Sequence, residues 1–360
     1  MRVPRSLVAW SLAVLVVIGC GGGTPTVAPS AEPVTPPSAL PSSSPPASAA
    51  PTELVLGQTF GLVYDPMVER VLLVNGAIER GRSRSTEVWT WTGEAWELLD
   101  AAGPEARSFA AIGRDPARGV VVVHGGLDAD GTAFDETLEW NGREWTVHEG
   151  NGRGPGAREG AGMAHDTTHD RMVLFGGALG PEQRADTWAW DGRSWERVAD
   201  TGPRPRFVSL LAEDRATGDI LLQGGHWVDG DDGGFLADTW LWDGAAWREA
   251  VGPAADGTGL GPRVNAPGAW DGNREGIVLV GGGSGADAPF AADTWLWRDG
   301  AWSEVPVSDG PSPRNGHAIA FDERRRVLVL VGGIDRPGGS QTLDVWELDA
   351  AGWREVLAPG

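Results

Sequence analysis

Five arginines recur at matching positions of a repeated sequence in this 360-residue chain, and arginine is well suited to holding a carboxylate by paired hydrogen bonds. The five are Arg107, Arg158, Arg206, Arg263 and Arg314. The first copy of the repeat has Gly57 at this position instead. One interpretation is a cationic ring that binds an acidic ligand. The other is that each arginine pairs with an acidic residue of the repeat and has a structural role.

A second candidate site lies in the segment HWVDGDDGGFLA at residues 226–237. It holds Trp227 together with Asp229, Asp231 and Asp232 among glycines. An exposed indole can stack on a sugar ring, and clustered carboxylates can contribute to a Ca²⁺ site. The alternative is a tryptophan folded onto the domain beside solvated acids. The full ligand spacing of a Ca²⁺ loop is absent, so we predict no metal here.

Other cofactor and catalytic chemistry finds little support in the sequence. The six histidines form no tight cluster, and His165 and His169, although four residues apart, lie in a predicted strand and turn rather than on a zinc-binding helix. Cys20 is the single cysteine, which excludes a zinc site made of cysteines. The chain has no G-x-S-x-G nucleophile motif. We therefore predict no catalytic residue, no cofactor and no metal.

The N-terminal residues are typical of an exported protein. A basic start is followed by an apolar stretch at residues 7–18, which the sequence VIGC at 17–20 closes. This stretch resembles a bacterial lipoprotein signal peptide. The resemblance implies removal of residues 1–19, lipid attachment at Cys20 and an extracytoplasmic, membrane-anchored location. Residues 20–52 are rich in proline, serine and alanine and are expected to form a disordered tether, followed by a folded domain at 53–360.

The charge of the chain limits its partners. The net charge is −21, and the chain contains no lysine. Such an acidic balance argues against nucleic acid or an anionic membrane surface as the main partner. We expect a monomer that meets the membrane only through its lipid anchor.

A tryptophan pattern recurs along the domain. The repeats that carry this pattern position the candidate arginines and the segment at 226–237. The pattern (Asp/Glu)-x-Trp-x-Trp-x-Gly-x-x-Trp, as in DTWAWDGRSW at 186–195, is found in six copies with small departures. Its slots hold Trp89, Trp91, Trp96, Trp140, Trp145, Trp188, Trp190, Trp195, Trp240, Trp242, Trp247, Trp295, Trp297, Trp302, Trp346 and Trp353. We interpret these residues as packing between repeats. The acidic residue before each pair is expected to bond the backbone or an arginine of an adjacent repeat.

Each copy predicts four short strands, which we call a to d. Continuous apolar runs such as VVVVHGG indicate a strand covered on both faces, and TWAW indicates a strand with both indoles on one face. Four short strands in each of six repeats predict an all-β, six-bladed β-propeller with antiparallel blades. The double glycine, the acidic residue before the aromatic pair and the later tryptophan resemble the kelch family. The first copy departs from this pattern at Gly57 and Asn75.

Loop lengths indicate which face of the propeller binds. The a–b and c–d spacings are constant between copies, whereas the b–c and d–a connections vary, with the longest in the fourth copy. In an antiparallel blade the two variable connections lie on one face, and variable loops on a rigid scaffold often carry function. For closure of the ring, either residues 54–56 add a strand to the last blade or residues 353–357 complete that blade unaided. Because edge strands need covering, we expect some contribution from the N-terminal residues.

These observations predict a non-catalytic binding module that meets a protein or a carbohydrate through its variable face. The competing hypothesis is an extracytoplasmic enzyme of the sugar-acid epimerase or mutarotase type with arginines at its channel mouth. A third is a structural envelope protein. An acid–base pair near the mouth would favour the enzyme, and an exposed Trp227 would favour the binding module.

Overall fold

The computed structural model describes residues 54–57, 59–76, 78–79, 82–83, 85–100, 102–230, 232–251, 259–285, 288–307 and 309–358. The predictions for the signal peptide at 1–19, the lipidated Cys20 and the tether at 20–52 lie outside these residues, as does Asp231. The described residues contain no helix of the length and hydropathy needed to cross a membrane.

The described residues form six four-stranded antiparallel blades, which confirms the predicted all-β propeller. Blade 1 comprises β1 (Phe60–Asp65), β2 (Arg70–Asn75), the short hairpin β3 (Ile78–Glu79) and β4 (Arg82–Ser83), β5 (Glu87–Trp91) and β6 (Trp96–Asp100). Blade 2 comprises β7 (Ala111–Asp115), β8 (Val120–His124), β9 (Thr137–Trp140) and β10 (Trp145–His148). Blade 3 comprises β11 (Gly162–Asp166), β12 (Arg171–Phe175), the hairpin β13 (Ala178–Leu179) and β14 (Glu182–Gln183), β15 (Thr187–Trp190) and β16 (Trp195–Ala199).

The last three blades repeat the same order of strands. Blade 4 comprises β17 (Leu210–Asp214), β18 (Asp219–Gln223), the hairpin β19 (His226–Asp229) and β20 (Asp232–Phe235), β21 (Thr239–Trp242) and β22 (Trp247–Val251). Blade 5 comprises β23 (Gly268–Asp271), β24 (Gly276–Gly282), β25 (Ala291–Arg298) and β26 (Ala301–Glu304). Blade 6 comprises β27 (Ala318–Asp322), β28 (Val327–Val331), β29 (Val345–Leu348) and β30 (Trp353–Leu357). The first strand of each blade contacts the first strands of both neighbouring blades, so these strands close a ring.

The hydrophobic core is divided among the interfaces between blades. Strand β8 shows how the sequence builds it: Val121 and Val123 pack with residues of blade 1, whereas Val120 and Val122 pack with residues of blade 3. All four are buried because both faces of a b strand meet a neighbouring blade. This explains why the b strands are apolar throughout rather than alternating.

The tryptophans join consecutive blades by hydrogen bonds as well as by packing. In blade 3, the Nε1 of Trp190 donates to Glu139 Oε1 in blade 2 at 2.7 Å, and that of Trp195 donates to Thr137 Oγ1 at 2.8 Å. The Nε1 of Trp188 instead donates to Asp186 of its own blade at 2.8 Å. The third slot makes such a bond to the preceding blade in blades 2 to 6, and the second slot does so in blades 1, 3 and 5. The first slot bonds the acidic residue of its own blade.

The double glycines form the backbone joint between blades. The N–H of Gly177 donates to the carbonyl of Arg206 in the next blade at 2.9 Å. Gly176 has a φ of +72°, and a Cβ added there would lie 2.6 Å from the same carbonyl oxygen. Only glycine allows both this conformation and this close approach. The recurrence of the pair is thus explained by packing rather than by phosphate binding.

Of the two alternatives for ring closure, the structure has the one without an N-terminal strand. Strand β30 pairs with β29 and is the fourth strand of blade 6. Residues 54–57 form no strand, but Leu54 is buried in the apolar cluster shared by blades 1 and 6. The indole of Trp91 in blade 1 donates to Glu347 Oε1 in blade 6 at 3.2 Å. Side-chain packing and this hydrogen bond join the two ends of the ring.

Candidate functional site

The five repeat arginines are buried and paired within their own blades. Their exposures range from 0% to 8%. Arg206 is representative: its two terminal nitrogens donate to the carboxylate of Asp238 at 2.7 and 2.8 Å, and one of them also donates to the carbonyl of Gly224 at 2.9 Å. The other pairs are Arg107 with Glu136, Arg158 with Asp186, Arg263 with Asp293 and Arg314 with Asp344. The expectation that the acidic residue bonds an arginine of an adjacent repeat is wrong, because each partner belongs to the same blade.

The paired arginines lower the pKa values of three of these carboxyl groups. Burial alone would raise the pKa of Asp238, but the hydrogen bonds and charge of Arg206 bring that pKa below its ordinary value. Asp186 and Asp344 show the same balance, with pKa values lowered by Arg158 and Arg314 against the effect of burial. A bidentate buried pair of this kind leaves its guanidinium few donors for a ligand.

The first blade replaces the arginine by an asparagine. Asn75 stands where the other blades have the first glycine of the pair, and it is fully buried. Its Nδ2 donates to the carbonyl of Val55 at 2.8 Å and to Glu87 Oε2 at 3.4 Å, and its Oδ1 accepts from the N–H of Gly57 at 2.8 Å. Gly57 in place of the arginine and Asn75 in place of the first glycine are therefore linked changes, because Asn75 makes the contact with Glu87 that an arginine makes with the acidic residue in the other blades.

A series of backbone hydrogen bonds runs between blades just beyond the arginines. The residues two positions after each arginine have positive φ: they are Phe109, Gly160, Val208, Asn265 and Gly316. From blade 3 onward, the N–H of each donates to the carbonyl of its counterpart in the preceding blade at 2.7–3.3 Å. A positive φ is costly for a β-branched residue such as Val208. The neighbouring blades thus impose this geometry, and the mouth is lined by backbone groups that already bond one another.

Glu159 is the notable titratable group beside these arginines. It is 8% exposed, and its Oε2 has no hydrogen-bond partner. Burial raises the pKa of this carboxyl above its ordinary value. The neighbouring guanidinium of Arg158 is directed instead to Asp186. A lone carboxyl with a raised pKa does not make the acid–base pair that the enzyme hypothesis requires.

The b–c loops of blades 3 and 4 carry short hairpins that meet each other. The N–H of Val228, in the β19–β20 hairpin, donates to Gln183 Oε1, in the β13–β14 hairpin, at 3.0 Å. Val228 and Leu179 are 38% and 39% exposed, which is unusual for aliphatic side chains on this protein. We call the surface formed by Leu179, Gln183, Arg204, Trp227 and Val228 the hairpin patch.

Trp227 is half-buried at the centre of the hairpin patch. The guanidinium carbon of Arg204, which is exposed in the d–a loop before blade 4, lies 3.5 Å from the centroid of its ring. Asp229 and Asp232 are exposed beside it, and Asp232 Oδ1 accepts only the local N–H of Gly233 at 2.9 Å in the described structure. The sequence placed Trp227 and these acids in one loop, but it gave no sign of Arg204 stacking from a different loop.

A cluster that the sequence did not reveal lies at the a–b turns, on the opposite face. His165 of blade 3 lies near Asp115 of blade 2 and near Asp170 of its own turn. The sequence drew attention to His165 and His169 instead. His169 is bonded to Asp166, on the other side of the strand. The sequence feature that could have indicated this cluster is the position of His165 directly before the turn aspartate Asp166, because a side chain at that position reaches the preceding blade.

Comparisons with known proteins point to kelch-repeat relatives. No protein-family model matches the chain. An F-box/kelch-repeat protein of Arabidopsis thaliana is 31% identical over 205 residues, which are 50% of this chain and 40% of that protein. Adagio-like protein 3 of Oryza sativa subsp. japonica is 27% identical over 216 residues, 53% of this chain and 32% of that protein. The chain thus matches less than half the length of these curated relatives.

Proposed function

We propose that this protein is a non-catalytic module that binds another protein through the hairpin patch. The observation that carries the proposal is the junction of two neighbouring hairpins, which presents Trp227, Arg204 and two exposed aliphatic side chains together. Tryptophan and arginine are the residues most enriched at the energetic centres of protein interfaces. The similarity to a kelch-repeat protein supports an interaction module of this kind.

The same geometry favours a protein over a carbohydrate as the ligand. Sugar rings stack on an open indole face, but the guanidinium of Arg204 already covers one face of Trp227 at 3.5 Å. Leu179 and Val228 offer aliphatic surface, which suits apolar side chains. The exposed acids Asp229 and Asp232 flank this surface. The expected partner therefore presents apolar residues bordered by basic ones.

The proposal includes the cellular setting implied by the N-terminal sequence. Lipid attachment at Cys20 would anchor the protein outside the cytoplasm, where the propeller meets a partner in the cell envelope. The arginines give no support to the competing enzyme, because their guanidinium groups bond acidic residues of the repeat.

Affinity capture from cell envelopes with two matched variants tests the proposal. Val228→Asp places a charge in the hairpin patch, whereas Val147→Asp makes the same change at a 43% exposed valine on the outer strand of blade 2. We expect the wild type and Val147→Asp to retain a specific protein, and Val228→Asp to lose at least tenfold of it. Equal capture by both variants would refute the role of the patch. Glycan-array binding that Trp227→Ala abolishes would assign the patch to a carbohydrate instead.

A further inference from the structure

We propose that the protein also binds a divalent transition-metal ion of the zinc type between blades 2 and 3. The ligands are His165, Asp115 and Asp170, on the face of the a–b turns and away from the hairpin patch. One ligand atom of each residue lies within 4.8 Å of the other two. The site is independent of the proposed interaction with a protein partner.

The nitrogen of His165 that faces this cluster has no hydrogen-bond partner. The side chain is 8% exposed, and its Nε2 is buried and unpartnered. Asp170 Oδ1 lies 3.4 Å away and Asp115 Oδ1 3.9 Å away, but neither makes a hydrogen bond with it. A buried polar atom without a partner is rare in folded proteins. A cation bound to Nε2 and to both carboxylates would satisfy all three groups.

The distances suit a small tetrahedral ion. Zinc bonds to nitrogen and carboxylate oxygen are about 2.1 Å long, so the edge of a zinc tetrahedron is about 3.4 Å. The separation of His165 Nε2 from Asp170 Oδ1 is 3.4 Å, and that from Asp115 Oδ1 is 3.9 Å. Bringing Asp115 Oδ1 to this edge length takes a movement of about half an ångström. The two carboxylate oxygens lie within 4.8 Å of each other, so small side-chain movements would complete the three-ligand arrangement and leave a fourth position for water.

The surroundings hold the ligands in place. His165 Nδ1 lies 3.2 Å from Thr167 Oγ1, a contact that orients the ring as outer contacts orient metal-binding histidines. Asp115 accepts the backbone N–H of Arg118 at 2.9 Å and the Nε of that residue at 2.7 Å. Arg118 is shared between Asp115 and Glu139, so its single positive charge does not neutralise the carboxylates around Nε2 of His165, which favours binding of a cation there. Imidazole is a poor ligand for Ca²⁺ and Mg²⁺, so the donors favour zinc or a similar ion.

The repeat provides its own negative control at the equivalent position of blade 5. Glu275 stands at the same place in its turn as Asp170, and both residues have a φ of 51°. The strand residue in the position of His165 is there Trp270, which offers no metal ligand. Replacing Asp170 or Glu275 by alanine therefore removes one carboxylate from a turn of the same backbone conformation, but only the replacement of Asp170 removes a proposed metal ligand.

Calorimetric titration of the purified full-length chain with zinc chloride tests the proposal. We expect one ion per chain for the wild type and for Glu275→Ala, and affinity at least tenfold weaker for Asp170→Ala. His165→Gln is expected to lose the same binding event, and metal analysis after dialysis should give the same order of zinc content. Absence of zinc binding to the wild type would overturn the proposal, as would equal affinity of Asp170→Ala and Glu275→Ala. The Asp170 turn is exposed, so its replacement should leave the fold intact.

Discussion

Replacing Glu347 by glutamine is expected to weaken the closure of the propeller ring. Glu347 is 4% exposed and lies in blade 6. It accepts the indole N–H of Trp91 from blade 1 at 3.2 Å and a guanidinium N–H of Arg354 at 3.0 Å, and it also pairs with Arg325. Glutamine keeps the shape of the side chain but loses the charge, and its NH₂ group cannot accept from a guanidinium.

The magnitude follows from the number and exposure of these partners. A hydrogen bond to a charged group contributes about 1.5–3 kcal/mol, and breaking a fully buried pair costs about 3–5 kcal/mol. The side chains of Arg354 and Arg325 are 66% and 27% exposed, so water can replace part of each lost contact. We expect a loss of about 2–3 kcal/mol. For a domain of about 300 residues, with an unfolding entropy of about 2.1 cal/mol/K per residue, that corresponds to a decrease in Tm of about 3–5 °C.

Glu139→Gln is the matched control within the ring. Glu139 occupies the same slot in blade 2 and accepts from Trp190 at 2.7 Å and from Arg118 at 2.6 Å. Thermal unfolding should give similar decreases in Tm for both variants. Hydrogen exchange should separate them, with faster exchange in β5 and β29 for Glu347→Gln and in β9 and β15 for Glu139→Gln. A Tm within 1 °C of wild type for Glu347→Gln, or unchanged exchange in β5, would refute the reasoning about closure.

Three further predictions concern backbone approach, pH and the first blade. Gly176→Ala should lower the free energy of unfolding by at least about 3 kcal/mol, because the added Cβ would lie 2.6 Å from a carbonyl oxygen of the next blade. The control is Gly156→Ala, which has a similar φ of +74° but no atom within 4 Å of the added Cβ, and it should cost only about 1 kcal/mol in thermal unfolding. Similar losses would contradict the interpretation of the glycine pair as a joint. Burial, aided by the charge of Arg314, lowers the pKa of His317 to about 3. His317 is therefore neutral in both the folded and the unfolded protein above pH 6.5, and it does not reduce stability there. As the pH falls from 6.5 towards 3, only the unfolded protein takes up this proton, and the free energy of unfolding decreases by about 1.4 kcal/mol per pH unit. His317→Leu should therefore flatten the decrease in Tm between pH 6 and pH 4, and an unchanged slope would count against this. Asn75→Ala should destabilise the fold by about 2 kcal/mol in thermal unfolding, because it removes two hydrogen bonds of 2.8 Å and one of 3.4 Å from a fully buried position. A loss below about 0.5 kcal/mol would show that Asn75 does not replace the arginine of the other blades.

The repeat made the propeller predictable, because its constant spacings correspond to hydrogen-bonded hairpins. Each turn aspartate precedes its glycine pair by ten residues, and the structure pairs the strands between them in register, as in Asp166 with Arg171. The partner of each arginine was harder to predict. Arg158 and Asp186 are 28 residues apart, and sequence spacing does not show whether such residues meet within one blade or across two.

The candidate sites depend on contacts between repeats, which sequence patterns describe poorly. His165 meets Asp115 only because the first strands of blades 2 and 3 lie side by side. Arg204 covers Trp227 because a d–a loop and a b–c loop share one face. Four of the d–a loops share the sequence Gly-Pro-x-x-Arg, but Arg204 occupies a variable position of that sequence, so the repeat does not predict the contact. The sequence left ring closure open because both N-terminal and C-terminal residues could form the last strand. The structure uses Trp353–Leu357 for that strand, while Leu54 contributes to closure by side-chain packing.

The most direct test of the central claim is site-specific photo-crosslinking in intact cells. A photoreactive amino acid at position 228 lies in the hairpin patch, and one at position 147 lies on the outer strand of blade 2 with similar exposure. The account predicts that position 228 crosslinks one discrete envelope protein, that Arg204→Ala weakens this product, and that position 147 does not give it. The same product from both positions, or none from position 228, would contradict binding of a protein at the hairpin patch.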